Sequence, residues 1–421
     1  MSLRCIRKEE FEMIDFSFTE EQVLFRQALR EWFEKNLPLE KVRDYDTKAK
    51  IPKDVIKGVA DLGLFLMTIP EEHGGAGADW VTTTIAADEL GYWDISIALP
   101  VLFLVQASWG YVVDRYASDA VRDACLRKAA KGDAFIGIAV TEPGGGSDVA
   151  GFKSTIRKEG NYWVANGEKT YISGTEECLE IGGGYFVNAY SDRSKAHRGM
   201  TSFYLPLNAP GVEVTKRFDD LGRMAISTGG FTMNNVKIPL EYQLGGEGEG
   251  FYITMEGFDA ARLLVSATCI GASERALEIG LEYLKQREAF GSKLVNFQGI
   301  QFQLADKYAQ LQAVKQMIYR TAWLLNKKYE KAVPGKQCDR AESLECSKWL
   351  SMCKLLAPKL AFDIFYDTML WFGAYGYTKE CPLEMGLRGI MSYCIGAEGA
   401  QNIQRTVIAR EVLGRGFRAT G

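Results

Sequence analysis

The sequence predicts an α+β multidomain chain: an N-terminal helical domain, a middle β-barrel or sandwich domain, and a C-terminal four-helix bundle. Three observations predict it. Apolar residues recur at helical spacing through the first third of the 421 residues. Alternating polar and apolar residues with short glycine turns take over in the middle. Long stretches of 3.6-residue periodicity return at the end. These changes divide the chain at 1–14, 15–133, 134–245 and 246–421. The first piece reads as a leader or flexible arm. A chain this long exceeds what one core serves.

Each element follows in order. Thr19 and Gln22 make a capping box, and Phe18 stands where it can staple onto Val23. Phe25, Ala28, Leu29, Trp32 and Phe33 continue that helix until Pro38 ends it. A second helix follows Pro52 and runs to the turn PEEHGGAGAD. Residues 82–90 and the uncharged run 95–113 extend the helical pattern. The run approaches membrane-span length, but Pro100, Gln106, Ser108 and Gly110 interrupt it and favour a buried helix. In the middle, STIRKEGNYWVANGEKTYIS alternates around the turns EGN and NGE, the mark of antiparallel hairpins. GGYFVNAY, TSFYLPL, VEVTKR and GGFTMNNVKIP read as further strands. Two long periodic segments, the break VPGKQCDRAE and two more helices complete the bundle.

Composition narrows the function. Hydrophobic residues at 47% and charged residues at 25% suit a soluble protein rather than a membrane one. A net charge of −4 argues against a nucleic-acid partner, which calls for a basic face. Nine cysteines without a CxxC pair read as reduced thiols in a cytoplasmic protein. Only His73 and His197 are available for a metal site or a Ser-His triad, so neither is expected.

Three stretches carry chemistry. TEPGGGSD, residues 141–148, lets the backbone approach something closely, with Thr141, Ser147 and Asp148 as polar ends. It lacks the lysine of a P-loop and the spacing of GxGxxG, so alone it is either a turn or a ligand cradle. In GEKTYISG, Tyr171 and Ser173 lie two apart on a strand and share a face. They read as the wall for a heterocycle or as an ordinary half-buried strand. In IGAEGAQNIQR, Glu398 sits in an apolar stretch, either as a base raised by burial or as a glutamate favoured at a helix N-terminus.

Taken together, these stretches give the chain a resemblance. PEEHGGAGAD, the segment from VTEPGGGSD to YIS, GEGFYITMEGFDAAR, REAFGSKLVNFQGIQFQLAD, FGAYGY and AEGAQNIQR occur in order between residues 15 and 418. In this the sequence resembles the flavin-dependent acyl-CoA dehydrogenase family. The resemblance implies FAD as cofactor, an acyl-CoA substrate, an electron-transfer flavoprotein or similar acceptor, and a homotetramer. It implies that Ile138, Val140 and Thr141 meet the isoalloxazine, that Ser147 lies near phosphates and pantetheine, that Tyr171 lies on the flavin face and that Ser173 donates to flavin N5. Arg287 would reach the FAD pyrophosphate of a neighbouring subunit, with Phe297, Gln298, Leu370, Gly373 and Ala374 lining the same dinucleotide. Glu398 would abstract the α-proton of the thioester while the β-hydrogen leaves as hydride to flavin N5. Gly399, Phe258, Asp259, Arg262 and Ser191 would contact the acyl-CoA.

The pattern is not followed everywhere. Leu370 stands for a frequent glutamine, and Ala400 and Asn402, in the cofactor set, stand for a frequent threonine and glutamine. LGRMAIST shifts an arginine, and Gly389 occupies a place where aspartate is common. Ala397 replaces a frequent aromatic before the base, which opens space beside the reacting carbons. The stretch ELGYWDISIALPVLFLVQ, expected to line the acyl pocket, holds no cation for a distal carboxylate. Its Asp94 is a candidate second acid/base, a solvated loop residue or a helix cap. A compact branched or alicyclic acyl-CoA fits these features. An acyl-CoA oxidase or an enoyl-CoA reductase would use the same fold. A DNA-binding relative and a purely structural helical protein are different classes, set against the acidic balance and Glu398.

Overall fold

Helix α1 (Glu20–Asn36) begins at its capping box: Thr19 Oγ1 accepts the Gln22 N–H and Gln22 Oε1 accepts the Thr19 N–H, both at 3.2 Å. The staple does not form. Val23 is exposed, and Phe18 packs edge-on to Tyr319 at 5.1 Å with the Arg26 guanidinium over its ring. A large aromatic from a distant helix is the better partner than a valine one turn on. The computed structural model describes residues 17–215 and 217–414, so the expected arm at 1–14 lies outside the described residues.

The first domain continues through α2 (Leu39–Lys48), α3 (Lys53–Asp61), α4 (Trp80–Trp93) and α5 (Ala98–Tyr116). Helix α5 is the uncharged run of the sequence, almost wholly buried. Pro100 is its third residue, where a missing N–H leaves no bond unmade. No helix among the described residues is long and apolar enough to cross a membrane. A helical stretch at 119–129 leads into the sheet.

The middle domain is one eight-stranded sheet: β1 (Phe135–Ala139), β2 (Thr155–Glu159), β3 (Tyr162–Ser173), β4 (Gly183–Tyr190), β5 (Met200–Pro206), β6 (Val212–Val214), β7 (Thr228–Pro239) and β8 (Gln243–Leu244), with α6 (Thr175–Ile181) between β3 and β4. The order is β6-β7-β3-β2-β4-β5-β8. Pairing is antiparallel except at β4, which takes β1 in parallel and meets β2 in parallel at Thr155–Tyr190. Among the described residues strand β1 pairs with β4 alone, so no strand lies along its other edge. The EGN turn joins β2 to β3, but NGE makes no turn. It lies inside β3 at a register shift against β7, where Gly167 takes φ +146°.

The last domain holds α7 (Gly250–Gln286), a small hairpin of β9 (Glu288–Ala289) and β10 (Ser292–Lys293), α8 (Gln298–Tyr329), α9 (Arg340–Trp371), α10 (Leu383–Ile395) and α11 (Gln401–Leu413). Three of these helices are long, at 37, 32 and 32 residues, and the last two have 13 each. The C-terminal helical bundle expected from the sequence is thus built from three long helices with two short ones beside them. Helix α4 of the first domain packs along α7, which is buried on most sides. Gly91 and Gly271 make this crossing close, since a Cβ at either would collide with the facing backbone.

Candidate active site

A cavity of about 890 Å³ lies where the three domains meet. Val101, Leu104 and Val105 of α5 give it an apolar wall, and Phe251, Met255 and Phe258 of α7 face them. Phe258 is braced from behind by the buried Trp109, edge to face at 5.6 Å. The sheet supplies Ile138, Val140 and the loop 141–150 on one side, and Tyr171 and Ser173 on another. The turn after α10 closes the cavity with Ala397, Glu398, Gly399 and Ala400.

A buried ion pair builds the glycine-rich loop. Lys169, fully buried in β3, donates to Glu142 Oε1 at 2.9 Å and to the Val140 carbonyl at 3.2 Å. Glu142 also accepts the Lys153 and Ser154 N–H groups, and its own backbone closes a tight turn with Gly145. Burial pushes Lys169 down to about 8, against the pull of Glu142. Burial pushes the Glu142 carboxyl up, but Lys169 and the surrounding hydrogen bonds outweigh it and hold it below its usual value. Beyond the turn, Gly144 and Gly145 face open space, so the backbone is bare toward a ligand.

Tyr171 departs from the strand. It sits at a second register shift with φ +57°, is 64% exposed and stacks on Phe218 at 4.8 Å. It lines the cavity as a lip residue, and the two-residue spacing to Ser173 runs across a bulge instead of along a flat face. Ser173 Oγ accepts Arg223 Nη1 at 2.9 Å, and Arg223 Nη2 donates to Thr228 Oγ1 at 2.9 Å.

The Glu398 turn is held by its backbone. Glu398 and Gly399 take φ +57° and +99°, conformations that disfavour any side chain. Arg262 Nε donates to the Glu398 carbonyl at 3.1 Å, and Gln404 Nε2 donates to the carbonyls of Glu398 and Gly399 at 3.2 and 3.1 Å. Lys354, fully buried in α9, donates to the Tyr393 carbonyl in the last turn of α10 at 2.6 Å. Among the described residues no donor meets the Glu398 carboxylate, which faces the cavity. Burial pushes it up to about 7, while Arg262 and Lys354 pull the other way. Burial likewise brings Lys354 down to about 8.

Eleven expected residues thus line the cavity: Ile138, Val140, Thr141, Ser147, Tyr171, Ser173, Phe258, Arg262, Glu398, Gly399 and Ala400. Others do not. Asp259 stands behind Arg262, bonding its Nη1 at 3.0 Å and Ser347 on the other side, so it braces the arginine. Ser191 bonds Thr201 and the Gly199 carbonyl, and Asn402 accepts from Arg405. Neither lines the cavity, and neither do Trp93 and Asp94. Asp94 is fully buried and accepts the N–H groups of Ser96 and Leu99 at 2.9 and 2.8 Å and the Ser96 hydroxyl. It is a cap for the start of α5, not a loop residue in solvent and not a group at the cavity. Burial lifts it to about 6, against the hydrogen bonds that lower it.

Arg287, Phe297, Gln298, Leu370, Gly373 and Ala374 also lie off the cavity. They gather at one end of the bundle, where Tyr283 stacks on Phe372 at 4.1 Å and Trp371 donates to Gln303. Leu370 is exposed there, as are Phe290 and Tyr377.

Sequence reasoning missed Lys169, Arg223 and Lys354. Arg223 had a signal in the displaced arginine of LGRMAIST. Lys169 and Lys354 had none, since a lone lysine in a strand or helix reads as a solvated residue. Gly389 of α10 has its reason here: a Cβ would collide with the Ser96 carbonyl and press on Ile97, so no aspartate fits.

Three family models match the chain: the acyl-CoA dehydrogenase N-terminal domain over 19–133, the middle domain over 137–236 and the C-terminal domain over 248–413. Among curated proteins it is 31% identical over 401 residues to a 3-(aryl)acrylate reductase of Clostridium sporogenes, covering 94% of this chain and 99% of that one. It is 30% identical to the mitochondrial short-chain specific acyl-CoA dehydrogenase of Rattus norvegicus, covering 94% and 90%. It is 28% identical to the caffeyl-CoA reductase-Etf complex subunit CarC of Acetobacterium woodii, covering 94% and 99%. The solved butyryl-CoA dehydrogenase of Megasphaera elsdenii superposes with a TM-score of 0.84 at 28% identity, covering 95% of this chain and all of that one.

Proposed function

The chain belongs to the acyl-CoA dehydrogenase family of FAD-dependent oxidoreductases, and from that premise we propose that the cavity holds FAD beside an acyl-CoA thioester and that Glu398 is the base. One observation carries the reading. Glu398 presents a carboxylate without a donor to the cavity, on a turn whose backbone is fixed by Arg262 and Gln404, and burial brings it to about 7. A base near the working pH is both ionised and basic enough to act.

The cavity suits the cofactor. Its volume admits a flavin ring with an acyl chain, Ile138 of β1 and Val140 just beyond that strand line its wall, and Thr141 and Ser173 add hydroxyls. Bound FAD supplies the acceptor for the hydrogen and electron pair that leave the β-carbon. The chain's own residues do the rest. Glu398 takes the proton from the carbon next to the thioester carbonyl. Its backbone N–H meets no acceptor among the described residues, so it is free to hold the thioester oxygen as negative charge grows there. The walls of α5 and α7 exclude water and fix the acyl group.

For the substrate we favour a compact branched or alicyclic acyl-CoA. Ala397 leaves room beside Glu398, and the wall of Val101, Leu104 and Val105 bears no charge. The guanidinium of Arg262 is committed to Asp259 and the Glu398 carbonyl, which disfavours a substrate with a distal carboxylate. The reductase names among the relatives favour a second reading, saturation of an enoyl-CoA. The residues that lie off the cavity support a further one: Arg287, Phe297, Gln298, Leu370, Gly373 and Ala374 would serve the cavity of a second copy in a homotetramer, with an electron-transfer flavoprotein as acceptor.

Anaerobic titration with butyryl, octanoyl, isobutyryl, cyclohexanecarbonyl, cyclohexenecarbonyl and glutaryl thioesters tests these readings. Isobutyryl or cyclohexanecarbonyl-CoA should bleach the flavin fastest. Fastest bleaching by octanoyl-CoA would sink the substrate assignment. Reduced enzyme reoxidised by the enoyl ester, with no bleaching by any saturated ester, would favour the reductase.

A further inference from the structure

Among the described residues Arg223 is the one cavity residue whose polar partners are two hydroxyls and whose backbone is left-handed, at φ +51°. Its side chain is 13% exposed, and the nearest carboxylate, Asp220, stands off at 3.9 Å. A guanidinium has donors and no acceptor. The 2.9 Å contact therefore fixes the direction of the bond: Ser173 Oγ accepts and cannot return its proton to Arg223. The Ser173 carbonyl is taken by the Tyr185 hydroxyl, and the side chain lines the cavity. The hydroxyl proton is left to point into the cavity. Charge on the donor also polarises the O–H and strengthens it as a donor in turn.

We propose that Arg223 is a positioning residue that locks Ser173 as a hydrogen-bond donor toward the flavin and thereby raises the flavin's affinity for electrons. This rests on the reading of the cavity as the FAD site. The local backbone supports a dedicated role. Arg223 holds its strained conformation on a short loop pinned from behind: Gly222 abuts the α10 backbone at Arg388 and Gly389, Arg388 donates to the Leu221 carbonyl at 3.1 Å and to Asp46 at 3.0 Å, and Asp46 accepts the Met224 N–H at 3.2 Å. The groups that face the Arg223 guanidinium are Ser173, Thr228 and, farther away, Asp220 and the buried Tyr393 phenol of α10. Arg388 lines the same cavity, but its charge is spent on Glu384 and Asp46.

The test is the reduction equilibrium of the FAD-loaded protein against a reference dye, which needs no substrate and no turnover. Arg223→Met should make two-electron reduction about ten-fold less favourable, about 30 mV for this couple. Arg223→Lys, which keeps a donor, should lose less than half of that on a logarithmic scale. The same Arg223→Met change should cost clearly less when Ser173 is already alanine, because neighbours acting through one bond are not additive. An Arg223→Met protein that binds FAD and matches the wild-type equilibrium within two-fold overturns the proposal. So does an equal cost on the serine and alanine backgrounds. Wild-type protein that takes up no FAD would instead overturn the reading of the cavity. Should Arg223→Met fail to fold, Arg223→Lys and Ser173→Ala carry the same comparison.

Discussion

Asp94 and Glu398 each follow a helix, α4 and α10, and burial pushes each upward, to about 6 and about 7. Their surroundings differ in what the lone pairs meet. Asp94 faces inward onto two backbone N–H groups and a serine hydroxyl, which occupy both of its oxygens. Glu398 has its backbone carbonyl bound and its carboxylate bare, with the cavity in front of it. A raised pKa therefore marks burial in both places and a candidate base in only one. Free acceptor capacity, pointed at a space where a substrate fits, is what separates them.

The comparison breaks most easily at Glu398. Glu398→Gln should slow bleaching by a saturated thioester by about 10³-fold, within the range for losing a general base, with FAD still bound. Stopped-flow absorbance reads this, and an unaltered rate would return the two carboxylates to equal standing. The same variant should be more heat-stable than wild type above pH 7. A carboxyl with a folded pKa of about 7 keeps its proton longer in the native state than in the unfolded chain, so its ionisation costs stability as pH rises through 7. Below pH 4.5 both forms are neutral and the gain should vanish.

Next in size is the pH dependence. In the wild-type protein the bleaching rate under kcat/KM conditions should rise about ten-fold per unit below pH 7 and level off above it. Lys354→Met sharpens the contrast, because it removes a buried cation that pulls Glu398 down. The midpoint should move up by about half a unit to one unit, less than 1.4 kcal/mol. A midpoint that stays in place would leave Lys354 with only the α10 carbonyl to hold. The smallest effect belongs to Asp94. Asp94→Ala strips a cap and should cost about 1–2 kcal/mol of stability in denaturant unfolding, with the bleaching rate changed less than about two-fold. A loss of 100-fold with the fold intact would restore Asp94 as an acid/base group.

Local features were legible in advance because their causes are local. The Thr19 capping box, the buried run of α5 and the strands around EGN depend on residues a few places apart. Glu398 kept two readings open on local grounds, a buried base or a helix N-terminal glutamate, and only the family resemblance singled it out as the candidate base. What the sequence concealed depends on distant partners. Phe18 chose Tyr319 over Val23, and NGE bent within a strand because β7 fixes both sides of it. Lys169 is buried because Glu142 lies 27 residues earlier in the chain, and Arg223 bonds a serine 50 residues before it. Asp94 kept three readings open until Leu99 and Ser96 were seen to close around it.

The contact of Gly389 with the Ser96 carbonyl ties the two carboxylates into one inheritance. Helix α10 leans on the turn that Asp94 organises, with no room for even a methyl group between them. Aspartate could not enter at 389 by a single change, since the turn at 94–97 would first have to retreat. Changes at 389 and in that turn should therefore be found in pairs among descendants and ancestors of this chain, and chimeras that swap only one of the two segments should fail to mature. The seating of α10 against the turn before α5 thus depends on a partnership of two segments some 290 residues apart in sequence, and neither is free to drift alone.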